Sequence, residues 1–314
     1  MVPKQTKKIT IVVPCYNEAG NIEELYQRVE AVFIGLNYDH EYLIIDNNSQ
    51  DGTQTILENM AARDKRVKVI LNARNFGPVR SPIHGLLQTQ GDATIFMMAD
   101  LQDPPEVIPE ILKKWEEGHE IVMCVKTKTT ESKAMYMVRR AYYWLVGKLS
   151  EVKLVTNFYG FGLYDRQVIS VLRQFDDPYP YFRGLICEVG FRTAQLEYTQ
   201  EGRKRGISKG NFYTLLDLAL LGITYHSKVP LRVATVGGAI LSTLSFFIGV
   251  GYFVAKLLYW DSFAMGIAPL VISLFFLSSI QLFFMGIIGE YIGNIYTQVL
   301  KRPLVVERKR INFD

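Results

Sequence analysis

IFMMADLQDPPE, residues 95–106, joins an apolar run to a group of acidic and amide side chains. Pro104 and Pro105 then block any continuation of the strand and favour the start of a helix. The stretch therefore predicts oxygen ligands at the carboxyl end of a buried strand, where open α/β sheets bind their ligands. Oxygen ligands suit a hard cation such as Mg²⁺ or Mn²⁺, and such a cation suits a diphosphate. By itself, the stretch indicates a metal-bound nucleotide site.

The sequence around this stretch alternates between apolar, β-branched runs and helical patterns from Ile9 to Lys126. This alternation is typical of βαβ units and predicts an α/β fold with a doubly wound sheet. The predicted strands, all interpreted as buried and parallel, are Ile9–Pro14, Tyr42–Asp46, Val67–Leu71, Ala93–Met98 and Ile121–Val125. The predicted helices are Ile22–Phe33, capped by Asn21, and then Thr53–Arg63, Pro82–Thr89 and Pro105–Glu117.

The middle of the chain, from about Thr127 to Tyr225, has weaker patterns. We predict helices at Arg139–Leu149 and Val168–Gln174, a turn at residues 179–181 and a basic, glycine-rich loop at residues 202–210. Residues 212–223 are strongly apolar and precede a long apolar segment. Both an interfacial helix and an ordinary core helix fit this pattern, which leaves the two readings open.

Two long segments near the C-terminus predict membrane-spanning helices. Val233–Ala255 and Ile267–Gly289 each have 23 residues and no charge. At about 1.5 Å per residue, each is long enough to cross a hydrocarbon core of about 30 Å. Lys228 and Arg232 precede the first segment, and basic residues follow the second. Because positive charge favours the cytosolic side, we expect both termini in the cytosol.

The overall composition excludes some classes of protein. A net charge of +4 over 314 residues is too small to indicate binding to nucleic acid. Cys15, Cys124 and Cys187 lie far apart without metal-ligand spacing, which indicates free thiols in a reducing compartment. No apolar signal-peptide core follows the short basic N-terminus. We therefore expect the part before the spans to stay in the cytosol.

Polar side chains follow four of the predicted strands, and one binding site would explain all four. The groups are Pro14-Cys15-Tyr16-Asn17-Glu18, Asp46 to Thr53, Arg74 to Gly77, and Asp100 with Gln102 and Asp103. Tyr16 offers an aromatic face to a base, and Asp46 is placed to accept hydrogen bonds from a base or ribose. Arg74 would supply a cation. Asp51-Gly52-Thr53, in contrast, is typical of a turn and a helix cap.

These segments resemble a family 2 glycosyltransferase of the GT-A fold. More narrowly, the chain is similar to the polyisoprenyl-phosphate glycosyltransferases, the group of dolichol-phosphate mannosyltransferases and bactoprenol glucosyltransferases. The resemblance covers nearly the whole chain and includes GIIGEYIG at residues 286–293. It implies a cytosolic, Rossmann-like GT-A catalytic domain at residues 1–210 and an amphipathic juxtamembrane region at residues 211–231. Residues 232–314 would form two transmembrane helices, at about 233–256 and 267–290, and a basic cytosolic tail.

The resemblance also implies roles for individual residues. The uracil or guanine base would be bound by Pro14, Tyr16, Asn17 and Glu18. Asp46 would hold the base or ribose. Asp100, helped by Gln102, would bind the metal that bridges the donor diphosphate. Asp103 would lie near the transferred sugar.

Further basic residues are implied as phosphate contacts. Residues 203–209 resemble the basic loop of the family, which would close over phosphates through Arg203 and Lys209. Arg139 or Arg140 would reach the acceptor phosphate. For the loop taken alone, attraction to anionic lipid headgroups is the alternative.

The chain departs from the family pattern at three places. Met98 occupies the first position of the usual Asp-x-Asp, which removes a carboxylate from the metal site. Gly160-Phe161-Gly162 stands where the family often has Asp-Phe-Arg. Asn157 is nearby and is the expected substitute for the lost polar contact. Asn47 replaces the second aspartate of an early Asp-Asp pair.

Together these features predict an inverting transferase at the cell (inner) membrane, with Mg²⁺ or Mn²⁺ as cofactor. It would move glucose from UDP-glucose, a nucleotide-sugar donor, to the lipid acceptor polyprenyl phosphate, and form a homo-oligomer. A processive polysaccharide synthase is a first alternative, but the chain lacks the Gln-x-x-Arg-Trp segment of those enzymes. A degenerate, non-catalytic nucleotide-binding scaffold is the second. Met98 and Gly160 favour that reading, whereas Asp100 and the basic loop argue against it.

Overall fold

The computed structural model describes residues 6–127, 155–200, 229–259 and 267–313. Its strands are β1 (Lys8–Cys15), β2 (Asp39–Asp46), β3 (Val67–Asn72), β4 (Ala93–Phe96), β5 (Ile121–Lys126), β6 (Phe158–Asp165), β7 (Thr193–Tyr198) and β8 (Glu307–Ile311). Its α-helices are α1 (Ile22–Phe33), α2 (Thr53–Arg63), α3 (Gly77–Leu87), α4 (Ile108–Glu116), α5 (Arg166–Leu172), α6 (Phe182–Glu188), α7 (Val229–Leu258) and α8 (Ile267–Val299). A short 3₁₀ turn at Pro105–Val107 precedes α4. The predicted helices at residues 139–149 and 212–223 and the loop at 202–210 lie outside the described residues.

All eight strands belong to one mixed sheet, in the order β7-β5-β6-β4-β1-β2-β3-β8. The central pairs β1–β2, β1–β4 and β2–β3 are parallel, as predicted. In this register, Cys15 pairs with Asp46 and Val12 with Phe96. The strands that carry the predicted ligands therefore end together at one edge of the sheet.

Successive residues along each strand point to opposite faces of the sheet, and each face is covered by its own layer of helices. Ile9, Ile11 and Val13 of β1 belong to the buried cluster that includes α1, α2 and α4. Val12 belongs to the cluster on the other face, with α3, α5 and α6. The sheet is thus covered on both sides, which is the three-layer α/β architecture that the sequence predicts.

The sequence pattern missed the arrangement beyond β4. Strand β6 lies between β4 and β5 and is antiparallel to both, so β5 has the same direction as β4 without being bonded to it. Within β6, Gly162 lies so close to β5 that a Cβ atom there would be 2.1 Å from the carbonyl oxygen of Val122. The backbone at Gly160 and Gly162 has φ of 110° and 155°. A side chain at position 160 or 162 would therefore strain the local structure.

Several predicted boundaries differ from those of the structure, among them the start of α3 and the end of β4. Helix α3 begins at Gly77, not at Pro82, because Gly77 (φ 87°) and Pro78 already provide a helix start. The side chain of Asn75 accepts a hydrogen bond from the N–H of Gly77 at 2.8 Å and satisfies that otherwise unpaired donor. Pro82 lies inside the helix. Strand β4 ends at Phe96, two residues earlier than predicted, so Met98 belongs to the loop.

Helices α7 and α8 contain the two predicted spans. The segments Val229–Ala255 and Phe276–Val299, with mean hydropathy 1.9 and 1.4, are long and apolar enough to cross a membrane. Of their described side chains, almost none is buried within the chain. This exposure distinguishes them from the core helices of a globular domain.

The segment after α8 returns to the sheet, although the sequence indicated only a basic tail. Strand β8 pairs with β3 in antiparallel orientation. The side-chain amide of Asn312 donates to the carbonyl oxygens of Ala61 (2.7 Å) and Val67 (2.9 Å). The edge of β3 is therefore covered by the chain's own C-terminal segment.

Candidate active site

A cleft of about 260 Å³ lies at the edge where β1, β2 and β4 end. Its described lining is Pro14, Cys15, Tyr16, Asn17, Glu18, Asn47, Gly77, Pro78, Ser81, Pro82, Met98, Ala99 and Asp100. The structure thus brings together the segment after β1 and the acidic stretch after β4, as the strand order requires. We call this space the donor cleft. The sequence analysis missed the contribution of α3 because it placed the start of that helix too late.

Hydrogen bonds to the next loop fix the segment that follows β1. Asn17 has left-handed backbone geometry (φ 58°), and its N–H donates to Oγ of Ser49 at 2.8 Å. Its side-chain oxygen accepts from the N–H of Gln50 at 2.8 Å. The N–H of Glu18 donates to Oγ1 of Thr53 at 3.0 Å. These bonds hold Tyr16 and Glu18 at the cleft. The Glu18 carboxylate also accepts a hydrogen bond from Nδ2 of Asn21 at 2.6 Å.

Asp46 is fully buried and lies behind the cleft wall. Its carboxylate accepts hydrogen bonds from the side chain and N–H of Ser49 and from Nε2 of Gln54, the last at 2.7 Å. Asp46 thereby fixes the loop that carries Ser49 and, through it, the position of Asn17. Its predicted contact with a base or ribose stays a prediction.

Asn47 joins β2, β3 and the start of α3. Its side-chain oxygen accepts from Nδ2 of Asn72 (3.2 Å) and from the N–H of Phe76 (2.9 Å). Its amide nitrogen donates to Oδ1 of Asn75 (2.8 Å) and the carbonyl oxygen of Gly77 (3.2 Å). An aspartate could accept the first two bonds but donate neither of the others. The asparagine at position 47 is therefore suited to this network.

The acidic stretch is held by a buried leucine and by an aspartate. Leu101 has φ 60° and is 1% exposed, so the loop turns sharply between Asp100 and Gln102. Asp100 lines the cleft, and its Oδ1 accepts from the N–H of Gln102 at 3.3 Å. The side-chain oxygen of Gln102 accepts from Nε2 of Gln200 at 3.0 Å.

Asp103 is 5% exposed and lies beneath this loop. It accepts hydrogen bonds from the hydroxyl of Tyr198 (2.7 Å) and, more weakly, from the N–H of Met98 (3.4 Å). Burial raises the pKa of the Asp103 carboxyl above its usual range, although the bond from Tyr198 opposes this. In this position Asp103 supports the loop that carries Asp100. Its predicted proximity to the transferred sugar stays a prediction.

Comparison with known proteins decides the family. The sequence profile described as glycosyl transferase family 2 matches residues 10–173. The chain belongs to this family. It is 34% identical to the SfII prophage-derived bactoprenol glucosyl transferase of Shigella flexneri, over 96% of this chain and 98% of that protein. It is 33% identical to an uncharacterized glycosyltransferase of Synechocystis, over 95% and 94% of the two chains.

The family assignment confirms the predicted GT-A fold and makes the chain a glycosyltransferase. Among solved structures, it is similar to a mannosyltransferase from Pyrobaculum calidifontis in complex with GDP-Man and Mn²⁺. That match has 16% identity and a TM-score of 0.47, over 95% of this chain and 88% of the other.

Asp100 is the acidic-stretch carboxylate that lines the donor cleft, and its chemistry fits a metal ligand. Within the described ranges, no set of three or more His, Cys, Asp or Glu side chains is placed to hold an ion. Met98, which replaces the first carboxylate of the family pattern, is 40% exposed beside Asp100. Mg²⁺ commonly uses one or two carboxylates and completes its shell with phosphate oxygens and water. Asp100 fits that role.

Arg74 and Asn157 are not among the described residues that line the donor cleft. The Arg74 guanidinium stacks 4.1 Å from the centre of the Phe76 ring and donates to the carbonyl oxygen of Asn75 at 3.0 Å. Asn157 lies in the turn before β6, with φ 60°. Outside the described residues are Arg139, Arg140, Arg203 and Lys209. Their roles stay predictions.

Proposed function

We propose that this glycosyltransferase moves glucose from UDP-glucose to polyprenyl phosphate at a membrane surface. The donor cleft, formed at the ends of β1, β2 and β4, is the observation that carries the proposal. The Shigella relative supports the choice of acceptor and sugar, because its name specifies bactoprenol and a glucosyl group.

The charges of the donor cleft favour a metal-bound diphosphate. Glu18 and Asp100 line it, and none of its described lining residues is Lys or Arg. A diphosphate would be repelled by these carboxylates unless a cation lay between them. Bound Mg²⁺ or Mn²⁺ would neutralise the diphosphate and stabilise it as the leaving group. Asp100 would hold that ion, and Gln102 would assist by exchanging its bond to Gln200.

The proposed reaction is a single displacement. An oxygen of the acceptor phosphate forms a bond to the anomeric carbon, while the bond from that carbon to the diphosphate breaks, so the configuration inverts. A phosphate whose second pKa is about 6 is largely ionised at neutral pH, so it requires little deprotonation by a general base. The tasks of the protein are then to position both substrates and to neutralise their charges. Tyr16 would stack on the base, and Arg203 and Lys209 would contact phosphate.

We also propose that α7 and α8 cross the membrane as a hairpin. Strand β8, which follows α8, pairs with β3 of the domain that precedes α7. Both ends of the hairpin must therefore be on the same side, which supports an even number of crossings. Lys301 and Arg302, just after α8, favour the cytosol for that side.

A donor comparison tests this function. The purified protein in detergent micelles is incubated with undecaprenyl phosphate, Mg²⁺ or Mn²⁺ and labelled UDP-glucose, UDP-galactose, UDP-N-acetylglucosamine or GDP-mannose. We expect label in the organic phase from UDP-glucose, and its loss in Asp100→Asn. Lipid labelling from another donor would refute the choice of sugar. Absence of transfer from every donor, with UDP still bound, would refute the proposed reaction and favour either a nucleotide-binding scaffold or a different acceptor.

A further inference from the structure

A second cleft, of about 130 Å³, adjoins the donor cleft and is mainly apolar. Pro78, Pro82 and Met98 line both spaces. Val79, Phe96 and Phe182 are among the side chains that line only the second. We call it the apolar cleft. Met98 lines both clefts and lies between them. Because this position holds a methionine and not the carboxylate of the family pattern, the junction of the two clefts is apolar.

The apolar cleft continues toward the end of α8. A smaller cavity of about 20 Å³ shares Ile83, Leu86, Pro180 and Phe182 with it, and Leu304 also lines that cavity. The segment at residues 175–183, which forms part of both walls, is bonded to the end of α8. Nε2 of Gln298 donates to Oδ1 of Asp177 at 2.8 Å, and the Lys301 ammonium lies 3.7 Å from the Asp176 carboxylate. Shared apolar side chains therefore mark a path from the apolar cleft toward the end of a helix that is suited to a membrane, and the contacts at its far end are polar.

The rim of the apolar cleft carries two positive charges. Tyr159 is 38% exposed there. The ammonium of Lys126 lies 4.2 Å from the centre of its ring, and the guanidinium of Arg183 lies 4.7 Å from it. These two cations favour an anionic group beside Tyr159.

We propose that the apolar cleft binds the isoprene unit next to the acceptor phosphate, and that the prenyl chain leaves along the path toward α8. This inference rests on the proposed function. The phosphate must reach the anomeric carbon held above Asp100, and the carbon chain begins directly at that phosphate. The apolar cleft is the neighbouring space that removes this first unit from water. Arg183 then neutralises the phosphate.

A pair of substitutions at Val79 tests the site, since this side chain lines the apolar cleft but not the donor cleft. Val79→Phe fills the space, whereas Val79→Ala leaves it open as a matched control. We expect Val79→Phe to raise the KM for undecaprenyl phosphate about tenfold or more, and Val79→Ala to raise it only about twofold. The UDP dissociation constant should stay within about twofold of wild type in both variants. With ethyl phosphate as the acceptor, which lacks an isoprene unit, the two variants should match wild type.

A second measurement uses only the wild-type protein. A farnesyl phosphate with a photoreactive diazirine in its first isoprene unit is crosslinked in micelles, and the modified peptides are sequenced. Crosslinks at Val79, Ile83 or residues 180–183 would support the site even if no sugar were transferred. Crosslinks confined to other segments, or an unchanged KM in folded Val79→Phe, would overturn it. Lack of transfer by wild type together with crosslinks in the apolar cleft would refute the reaction but not the site.

Discussion

Replacing Tyr198 by phenylalanine isolates the support that Asp103 gives to the loop that carries Asp100. The substitution removes one hydroxyl, which donates to Oδ1 of Asp103 at 2.7 Å, and leaves the ring in place. The other oxygen of Asp103 accepts a long bond of 3.4 Å from the N–H of Met98. Since Asp103 is 5% exposed, water cannot easily replace the lost hydroxyl.

The expected loss follows from that geometry. A buried acceptor left without its donor costs about 1–3 kcal/mol, and a charged one costs more. At about 2–4 °C per kcal/mol for a domain of this size, the Tm of Tyr198→Phe should fall by several degrees.

The loss should also depend on pH. Burial raises the folded-state pKa of Asp103, and the bond from Tyr198 counters this by favouring the carboxylate. When the pKa of a group is higher in the folded state than in the unfolded state, protonation stabilises the fold. That contribution is fully present below the unfolded-state pKa and is lost as the pH rises through the folded-state pKa. Without Tyr198 the folded pKa rises further, so the destabilisation is largest at neutral pH and shrinks as Asp103 becomes protonated.

Thermal unfolding followed by near-UV circular dichroism, at neutral pH and at about pH 5, measures both effects. Tyr164→Phe is a matched control, because the buried Tyr164 hydroxyl donates to a neutral acceptor, the carbonyl oxygen of Gly160, at 2.6 Å. Its loss of about 1–3 kcal/mol should be the same at both pH values. Equal, pH-independent losses in the two variants would refute the role assigned to Asp103.

Three further predictions concern the frame around the site. Gly162→Ala should lower the free energy of unfolding by about 3 kcal/mol or more in a thermal scan, because its Cβ would meet the Val122 carbonyl oxygen. The matched control Gly35→Ala, which has open space around it, should be nearly neutral. Asn47→Asp removes both hydrogen bonds that Asn47 donates at the start of α3. It should weaken UDP binding about tenfold, measured by titration calorimetry, and an unchanged affinity would contradict the role of Asn47 in shaping the cleft. Asn312→Ala should cost about 1–2 kcal/mol in chemical unfolding by loosening β8, and equal stability of the variant would show that the C-terminal strand contributes little.

The central sheet and the segments that line the donor cleft follow from local patterns in the sequence. Apolar runs at residues 9–14 and 42–46 have the length and composition of buried strands, and the structure confirms them as β1 and β2. Because these strands are parallel, their polar C-terminal neighbours had to meet at one edge. The convergence of Tyr16, Glu18 and Asp100 was therefore predictable without knowledge of the tertiary contacts.

Other features depend on contacts between residues that are distant in the sequence, and local sequence patterns do not predict them. Strand β6 contains two glycines, which weaken a strand pattern, and its place between β4 and β5 is set by close packing against Val122. Strand β8 is rich in charge, and only its pairing with β3 makes it a strand. Likewise, Asp46 is buried beside β1, where the thiol of Cys15 donates to its Oδ1 at 3.7 Å, and its place at a strand end does not reveal that burial.

The most direct test of the central claim is transfer of labelled glucose from UDP-glucose to undecaprenyl phosphate by the purified full-length protein, with Mg²⁺ supplied and then removed by a chelator. The account predicts a glucosyl lipid with inverted anomeric configuration, formed only when the metal is present. A lipid product with retained configuration, or equal transfer after chelation, would contradict the single displacement at a metal-bound diphosphate.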